Sequence, residues 1–308
     1  MVVTHGSLQR ARGRCALTIG NFDGVHRGHR ALIERVTAKA RELRLVSCVL
    51  TFEPHPREFF DPKAAPARLT RLRDKLELIA AAGVERVHIA RFDRRFASLP
   101  AQRFVEDVLA QGLATRWLLV GHDFRFGARR AGDFPALAAA APRLGFEVES
   151  MADVRFEGAR VSSSAVRAAL AAGELAAAER LLGHPYTISG RVAHGAKLGR
   201  SLGFPTANIV LRRPPPLSGI FVVEVDGVPD RSMRGVASVG RRPTVNPVPV
   251  PLLEVHLFDW ERDLYGEHLR VRFLKKLRDE QKYDGLDALR DAIAHDARQA
   301  RDYFVNHG

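Results

Sequence analysis

The stretch ALTIGNFDGVHRGH, residues 16–29, constrains the fold of this chain more than any other. Ala16 to Ile19 is a short apolar run of the kind that forms a buried strand. It gives way to Gly20 and a tight turn containing Gly24, and Val25 to His29 then open a long helical pattern. Strand, glycine turn and helix in that order form a phosphate loop: glycines admit a ligand close to the backbone, and the free N–H groups of the first helical turn favour an anion. His26 and His29 lie three residues apart, so on that turn they share one face. Two imidazoles there would sit over a bound phosphate. A zinc site would need further ligands, and the two cysteines, Cys15 and Cys48, sit in apolar runs. Histidines satisfied by local capping carbonyls are the remaining reading of the pair.

The 308 residues are enough for two domains with ordinary cores. No apolar run approaches the ~18 to 20 residues of a membrane span, and the first fifteen residues lack a secretory pattern, so a cytoplasmic protein is expected. Two cysteines exclude a disulfide framework. The net charge of +13 raises the question of nucleic acid or phosphorylated small ligands. Its arginines are scattered among Asp and Glu, with no basic run interleaved with aromatics, so no single-strand binding groove is expected.

Beyond the loop, Leu32, Ile33, Val36 and Ala40 keep a helical period, and Val46 to Phe52 is a second apolar strand ending in Glu53, Pro54, His55 and Pro56. Thr70 to Ala82 reads as helix, Val87 to Phe92 as strand, and Pro100 opens another helix with a buried face at Phe104, Val105, Val108 and Leu109. Trp117 to Val120 is a strand followed by Gly121 to Gly127; a helix from about Asp133 and a strand near Phe146 to Glu149 complete the alternation. The pattern predicts a doubly wound, Rossmann-like α/β domain with a parallel sheet and helices on both faces, whose ligands bind beyond the carboxyl ends of the strands. The polar stretches at 20–29, 53–56 and 121–127 fall at those ends.

Ser162, Ser163 and Ser164 precede a helix that carries Arg167 on its first turn, which makes a second anion cradle; simple N-capping would need only one serine. Composition changes after Gly183. Short runs at 187–192, 207–211, 220–225, 235–239, 252–258 and 269–273, separated by Gly, Pro, Asp and Asn, predict an antiparallel β-barrel, and 284–304 predicts a C-terminal helix against it. The boundary is placed between 183 and 184.

Two features of the second domain carry chemistry. In HGAKLGRSLGFPTANI, Gly195, Gly199 and Gly203 bracket Lys197 and Arg200 in a basic loop able to close over phosphates, while the Thr206 hydroxyl and Asn208 carbonyl are hard oxygen ligands suited to Mg2+. Glu254 is an acid inside an apolar strand. A strand glutamate usually faces solvent, but beside a phosphate loop it is a candidate general base for transfer to a hydroxyl.

The motifs TIGNFDGVHRGH, TFEPHP, VGHDFRFG and VSSSAVR, followed by LGFPTANI, GVASVGRRPTV, LEVHLFDWERDLYG and LRDEQKY, resemble the bacterial bifunctional riboflavin kinase and FMN adenylyltransferase family. The likeness covers nearly the whole chain. It implies an FMN adenylyltransferase domain at 1–183 and a riboflavin kinase barrel at 184–308, with ATP, riboflavin, FMN and FAD as ligands and no nucleic acid, membrane or obligate protein partner. It further implies that Glu254 accepts the ribityl proton, that Thr206 and Asn208 hold Mg2+, and that Gly195, Lys197, Gly199 and Arg200 cover phosphates. Arg278, from LRDEQKY, would touch flavin. In the first domain His26 and His29 would act on the triphosphate with Ser163, Ser164 and Arg167, on a loop formed by Gly20, Phe22, Asp23, Gly24 and Gly28, and His55 and Asp123 would line the flavin phosphate side.

Two departures from the pattern stand out. Ser164 replaces the usual threonine and keeps its hydroxyl; His122 stands where an acidic or polar residue is common and would tune flavin phosphate affinity near neutral pH. The competing readings are an adenylyltransferase for another phosphorylated cofactor precursor, with the barrel serving assembly, and a flavin- or RNA-binding regulator.

Overall fold

The computed structural model describes residues 1–6, 13–195, 199, 202–228, 232–242 and 250–307. The chain forms two compact units, one comprising 1–66 and 72–162, the other 67–71 and 163–308.

The first unit is a six-stranded sheet of β1 (Val2–His5), β2 (Cys15–Ile19), β3 (Val46–Glu53), β4 (Arg86–Arg91), β5 (Thr115–Gly121) and β6 (Glu147–Met151). Every pairing is parallel, in the order β1-β4-β3-β2-β5-β6. From β2 the chain winds outward through β3 and β4, then returns to the other side through β5 and β6, so the order reverses at β2. All five residues of β2 are buried, as a strand covered on both faces requires. On one face α1 (Arg27–Leu43) lays Val36 and Ala40 on Ala16, Trp117 and Leu119. Its Ile33 joins Val49, Val87 and Ile79, the last from α2 (Leu72–Ala81). On the other face a π-type helical stretch, Phe104–Gly112, and α3 (Phe134–Leu144) cover Leu17, Leu50 and Leu118. Each such buried side chain contributes about 1.5–3 kcal/mol of transfer free energy. The sequence reading lacked β1, a short outer strand with no apolar alternation. A hairpin of β7 (Arg155–Phe156) and β8 (Ala159–Arg160) follows β6.

The second unit begins with α4 (Ser163–Ala171) and α5 (Leu175–Leu182). Six antiparallel strands then close a barrel: β9 (Thr187–Ala193), β10 (Ala207–Val210), β11 (Gly219–Asp226), β12 (Met233–Arg242), β13 (Val250–Leu257) and β14 (His268–Arg278), in the order β10-β13-β12-β11-β14-β9. Period 2 sorts the side chains. Ile209, Phe221, Val223, Leu253, Val255, Leu269 and Val271 fill the interior. The opposite face of β11 to β13 carries Val222 and Val236, which with Phe258 receive Ala297, Ala300 and Phe304 of α6 (Leu286–His307). Strands β12 and β14 run beyond their apolar centres because their ends pair while projecting polar residues such as Arg270 and Arg272.

Candidate active sites

The carboxyl end of β2 leads into a strained turn. Phe22 and Val25 both adopt positive φ, 48° and 38°, which is costly for a β-branched residue and marks a loop held in place by its surroundings. Phe22 is fully buried and Asp23 and His26 nearly so. His26 caps α1, its Nδ1 accepting from the His29 backbone N–H at 3.3 Å. That bond leaves the His26 proton on Nε2 in the neutral ring. The two imidazoles stack with centroids 3.6 Å apart and planes 13° from parallel, and Phe22 flanks His29 at 5.0 Å. A side chain at Gly28 would press on the His26 ring at 3.2 Å, so the close approach of ring to helix depends on glycine there. Burial, then the proximity of His26 and of Lys75 on α2, hold His29 well below its ordinary pKa of 6.5, so it is neutral at pH 7. Its buried Nδ1 has no hydrogen-bond partner among the described residues. A neutral His29 stacked on the capping His26 at a helix start, with the dipole behind it, suits phosphate oxygens better than it suits a structural cap alone.

The neighbouring strand ends add to this edge. His55, after β3, accepts from the Arg57 backbone N–H at 3.1 Å and caps the short helix Pro56–Phe60. Asp123, after β5, is ion-paired to Arg160 of β8 at 2.9 Å, and Arg160 also holds Asp153 at 2.9 Å; His122 lies 3.7 Å from Asp153. Arg160 escaped the sequence reading, although it directly precedes VSSS. So did an aromatic cluster at the ends of β3 and β4: Phe52, Phe59, Phe60, Phe92 and Phe96 contact one another with centroids 5.3–5.8 Å apart. Phe60 is 67% exposed, an unusual state for a large apolar ring. The sequence signal was the spacing of Phe59 and Phe60 just after TFEPHP.

In the second unit, Ser163 and Ser164 open α4, and the Arg167 Nε donates to the Ala67 carbonyl at 2.6 Å.

The barrel assembles its candidates by register. Asn208 pairs with Glu254, Glu254 with Ser238, Ser238 with Ile220, and Ile220 with Arg278. Directly opposed residues share a face, so these five form one row across five strands, on the outer face that α6 covers. A cavity of about 260 Å3 is lined by Glu254, Ser238, Ile220 and Arg278 of this row, and by Thr206, Glu280 and Asp296; Asn208 is not in its lining. Arg278 is fixed there by two hydrogen bonds to the buried Asp296 of α6, 2.6 and 2.8 Å. His256 Nδ1 donates to the Pro205 carbonyl at 2.9 Å, and burial keeps its pKa below 6.5. Asn208 is buried; its Nδ2 donates to Thr206 O at 3.1 Å while its Oδ1 has no hydrogen-bond partner among the described residues. A β-carbon at Gly195 would fall 2.6–2.8 Å from that amide, so glycine keeps the approach open. An amide oxygen without a partner among the described residues, two positions from the Thr206 hydroxyl in sequence, has the donor chemistry of a site for a hard cation carried by a nucleotide. Among the described residues no cluster of three or more His, Cys, Asp or Glu could hold a metal. Gly199 lines the cavity, whereas Lys197 and Arg200 lie outside the described residues.

A parallel sheet whose glycine turn carries His26 and His29, followed by a barrel whose outer face carries Asn208, Glu254 and Arg278, is the make-up of a two-domain phosphate-transfer enzyme. The FAD synthetase family model matches residues 8–165 and the riboflavin kinase model matches residues 182–304. The chain is 51% identical over 301 residues to the bifunctional riboflavin kinase/FMN adenylyltransferase of Escherichia coli (strain K12), covering 97% of this chain and 96% of that one. It is 47% identical over 291 residues to the protein of the same name from Haemophilus influenzae, covering 94% of each. A crystal structure from Streptococcus pneumoniae, described as a macrolide-efflux protein, superposes with a TM-score of 0.80 at 28% identity, covering 98% of this chain and 99% of that one. No helix among the described residues is long and apolar enough to cross a membrane. The chain belongs to the bifunctional riboflavin kinase/FMN adenylyltransferase family, and it is an enzyme.

Proposed function

We propose that this chain phosphorylates riboflavin to FMN on the barrel and adenylylates FMN to FAD on the parallel-sheet unit, using one ATP for each step. The observation that carries the reading is the row Asn208, Glu254, Ser238, Ile220 and Arg278, which supports it by setting on one face the residues we read as cation ligand, base and flavin contact.

In the first reaction the terminal ribityl hydroxyl attacks the γ-phosphorus, its proton passes to Glu254, and ADP leaves. An alcohol is a poor nucleophile at neutral pH, so a base within reach is worth roughly 10²- to 10⁴-fold. Thr206 and Asn208 Oδ1 would hold the Mg2+ of the nucleotide, which would supply charge neutralisation on the transferring phosphoryl group. Gly195, Lys197, Gly199 and Arg200 belong to the loop over the phosphates. Arg278, held by Asp296, contacts the flavin side.

In the second reaction an FMN phosphate oxygen attacks the α-phosphorus of ATP and pyrophosphate leaves. The nucleophile is already an anion, so positioning and charge stabilisation suffice. His26 and His29, above the loop of Gly20, Phe22, Asp23, Gly24 and Gly28, donate to the triphosphate. His55 and Asp123, with Arg160, serve the FMN phosphate, and the Phe59, Phe60 and Phe92 rings offer a surface for a planar tricyclic ligand. Ser163, Ser164 and Arg167 join this step by their motif, since hydroxyls and a guanidinium suit phosphate oxygens. The functional division falls after Gly183, and the free, buried Cys15 and Cys48 agree with a reducing cytoplasm.

The test is a time course of purified protein with riboflavin, ATP and Mg2+, with the three flavins separated by chromatography. FMN rising first and FAD following is expected. No flavin product from riboflavin, with no FAD from supplied FMN, would overturn the reading.

A further inference from the structure

The parallel sheet changes winding direction between β2 and β5. These strands are parallel neighbours, and the helices that follow them lie on opposite faces: α1 over Ala16, Trp117 and Leu119, α3 over Leu17, Leu50 and Leu118. Ligands of doubly wound sheets bind in the crevice outside the carboxyl ends of the strands at such a point. One lip of that crevice is the loop 20–29, which carries the two histidines. The other is the segment 122–132 that follows β5.

The second lip is tied down at several points. Phe126 and Gly132 exchange backbone hydrogen bonds of 3.1 and 2.9 Å, closing the five residues between them into a loop. A β-carbon at Gly132 would strike the Phe126 ring, and one at Gly127 would fall 2.7 Å from the Ala101 backbone, so the close packing at both ends requires glycine. The Ala128 N–H donates to the Leu99 carbonyl at 2.8 Å. Within this frame Arg129 and Arg130 both take left-handed backbone, with φ of 54° and 59°. Two successive non-glycine residues in that region persist only where the surroundings impose it, and strain of this kind gathers at ligand sites.

Both arginine side chains are exposed, and among the described residues neither makes an ion pair or a side-chain hydrogen bond. The neighbouring cations are engaged. Arg125 pairs with Asp133 at 2.9 Å, and Arg160 is divided between Asp123 and Asp153, 2.9 Å from each. The loop also adjoins the aromatic surface: the Phe126 and Phe104 centroids are 5.3 Å apart, and Phe104 lies 6.1 Å from Phe96 of the phenylalanine cluster.

Resting on the reading of this unit as the FMN adenylyltransferase, we propose that Arg129 and Arg130 bind the phosphate dianion of FMN and so select a phosphorylated flavin as the acceptor. Arg160, shared by two carboxylates, has little charge left for a dianion, whereas two planar guanidinium groups on one closed loop match its oxygens. The triphosphate of ATP is met from the opposite lip, where α1 begins.

The experiment measures FAD formation from supplied FMN, ATP and Mg2+ by the parent full chain and by an Arg129→Asn, Arg130→Asn double variant. Asparagine accepts left-handed backbone, so the loop keeps its shape and the thermal midpoint is no lower than that of the parent. KM for FMN should rise roughly tenfold or more, the loss expected of two partly solvated charge-assisted contacts, while KM for ATP and kcat at saturating FMN stay within about twofold. Raising salt from ~0.05 to ~0.5 M should increase KM for FMN several-fold in the parent and much less in the variant. Lumiflavin, which has the flavin ring and no ribityl phosphate, should inhibit both proteins with the same inhibition constant. An unchanged KM for FMN would overturn the proposal. A rise in KM for ATP alone would also overturn it by giving the loop to the triphosphate, and a lumiflavin inhibition constant that climbs with KM for FMN would do so by giving it to the ring. Those three results leave FAD synthesis standing; a parent protein that makes no FAD from FMN would overturn the underlying reading and the proposal with it.

Discussion

Asn208 and Glu254 are direct partners across β10 and β13, so the residues proposed as cation ligand and base come from adjacent strands with no loop between them. Side chains on neighbouring rigid strands keep their spacing when a ligand binds, which is what proton transfer concerted with phosphoryl transfer requires. Removing either partner should therefore affect one reaction and spare the other.

Glu254→Gln keeps shape and loses the base. Riboflavin phosphorylation should fall by ~10²- to 10⁴-fold, with conversion of added FMN to FAD at the parent rate. Separate assays from riboflavin and from FMN check this.

Asn208→Ala removes the orphaned Oδ1. The Mg2+ concentration giving half-maximal riboflavin phosphorylation should rise at least about tenfold, while kcat at saturating Mg2+ falls less. A Mg2+ titration that superimposes on that of the parent would contradict the assignment.

Much of this was legible in the sequence, and for a physical reason. Continuous apolar runs and glycine turns report a buried parallel sheet, and the period-2 runs after Gly183 report the barrel. Loop motifs flagged His26, His29, Thr206 and Asn208 because each sits beside a strand end. The row linking Asn208 to Arg278 was not legible, since register is a long-range property that joins residues 70 positions apart. Asp296 as the partner of Arg278, Arg160 as the partner of Asp123 and the phenylalanine cluster were missed for the same reason. In a helix read alone, Asp296 is one more surface acid.

Asp296→Asn breaks a largely buried pair and leaves the Arg278 charge uncompensated beneath α6. The barrel should lose roughly 3 kcal/mol of stability, the lower end of what such losses cost. Thermal or denaturant unfolding of the full chain measures it.

His29 ties stability to pH. The unfolded chain takes up a proton as pH falls through 6.5, whereas burial keeps the folded imidazole neutral to lower values. Its contribution is thus complete above pH 6.5 and declines as pH drops below it. His29→Leu should narrow the difference in thermal midpoint between pH 7.5 and 5.5, and should lower FMN adenylylation by roughly 10²-fold through the lost donor.

The central claim is that two independent sites act in sequence through FMN. Mixing Glu254→Gln with a His26→Ala, His29→Ala double variant, in riboflavin, ATP and Mg2+, tests it most directly. Each protein alone should yield no FAD, the first stopping at riboflavin and the second at FMN, and the mixture should make FAD after FMN has accumulated. FAD formed from riboflavin by either variant alone, or none from the mixture, would contradict the account.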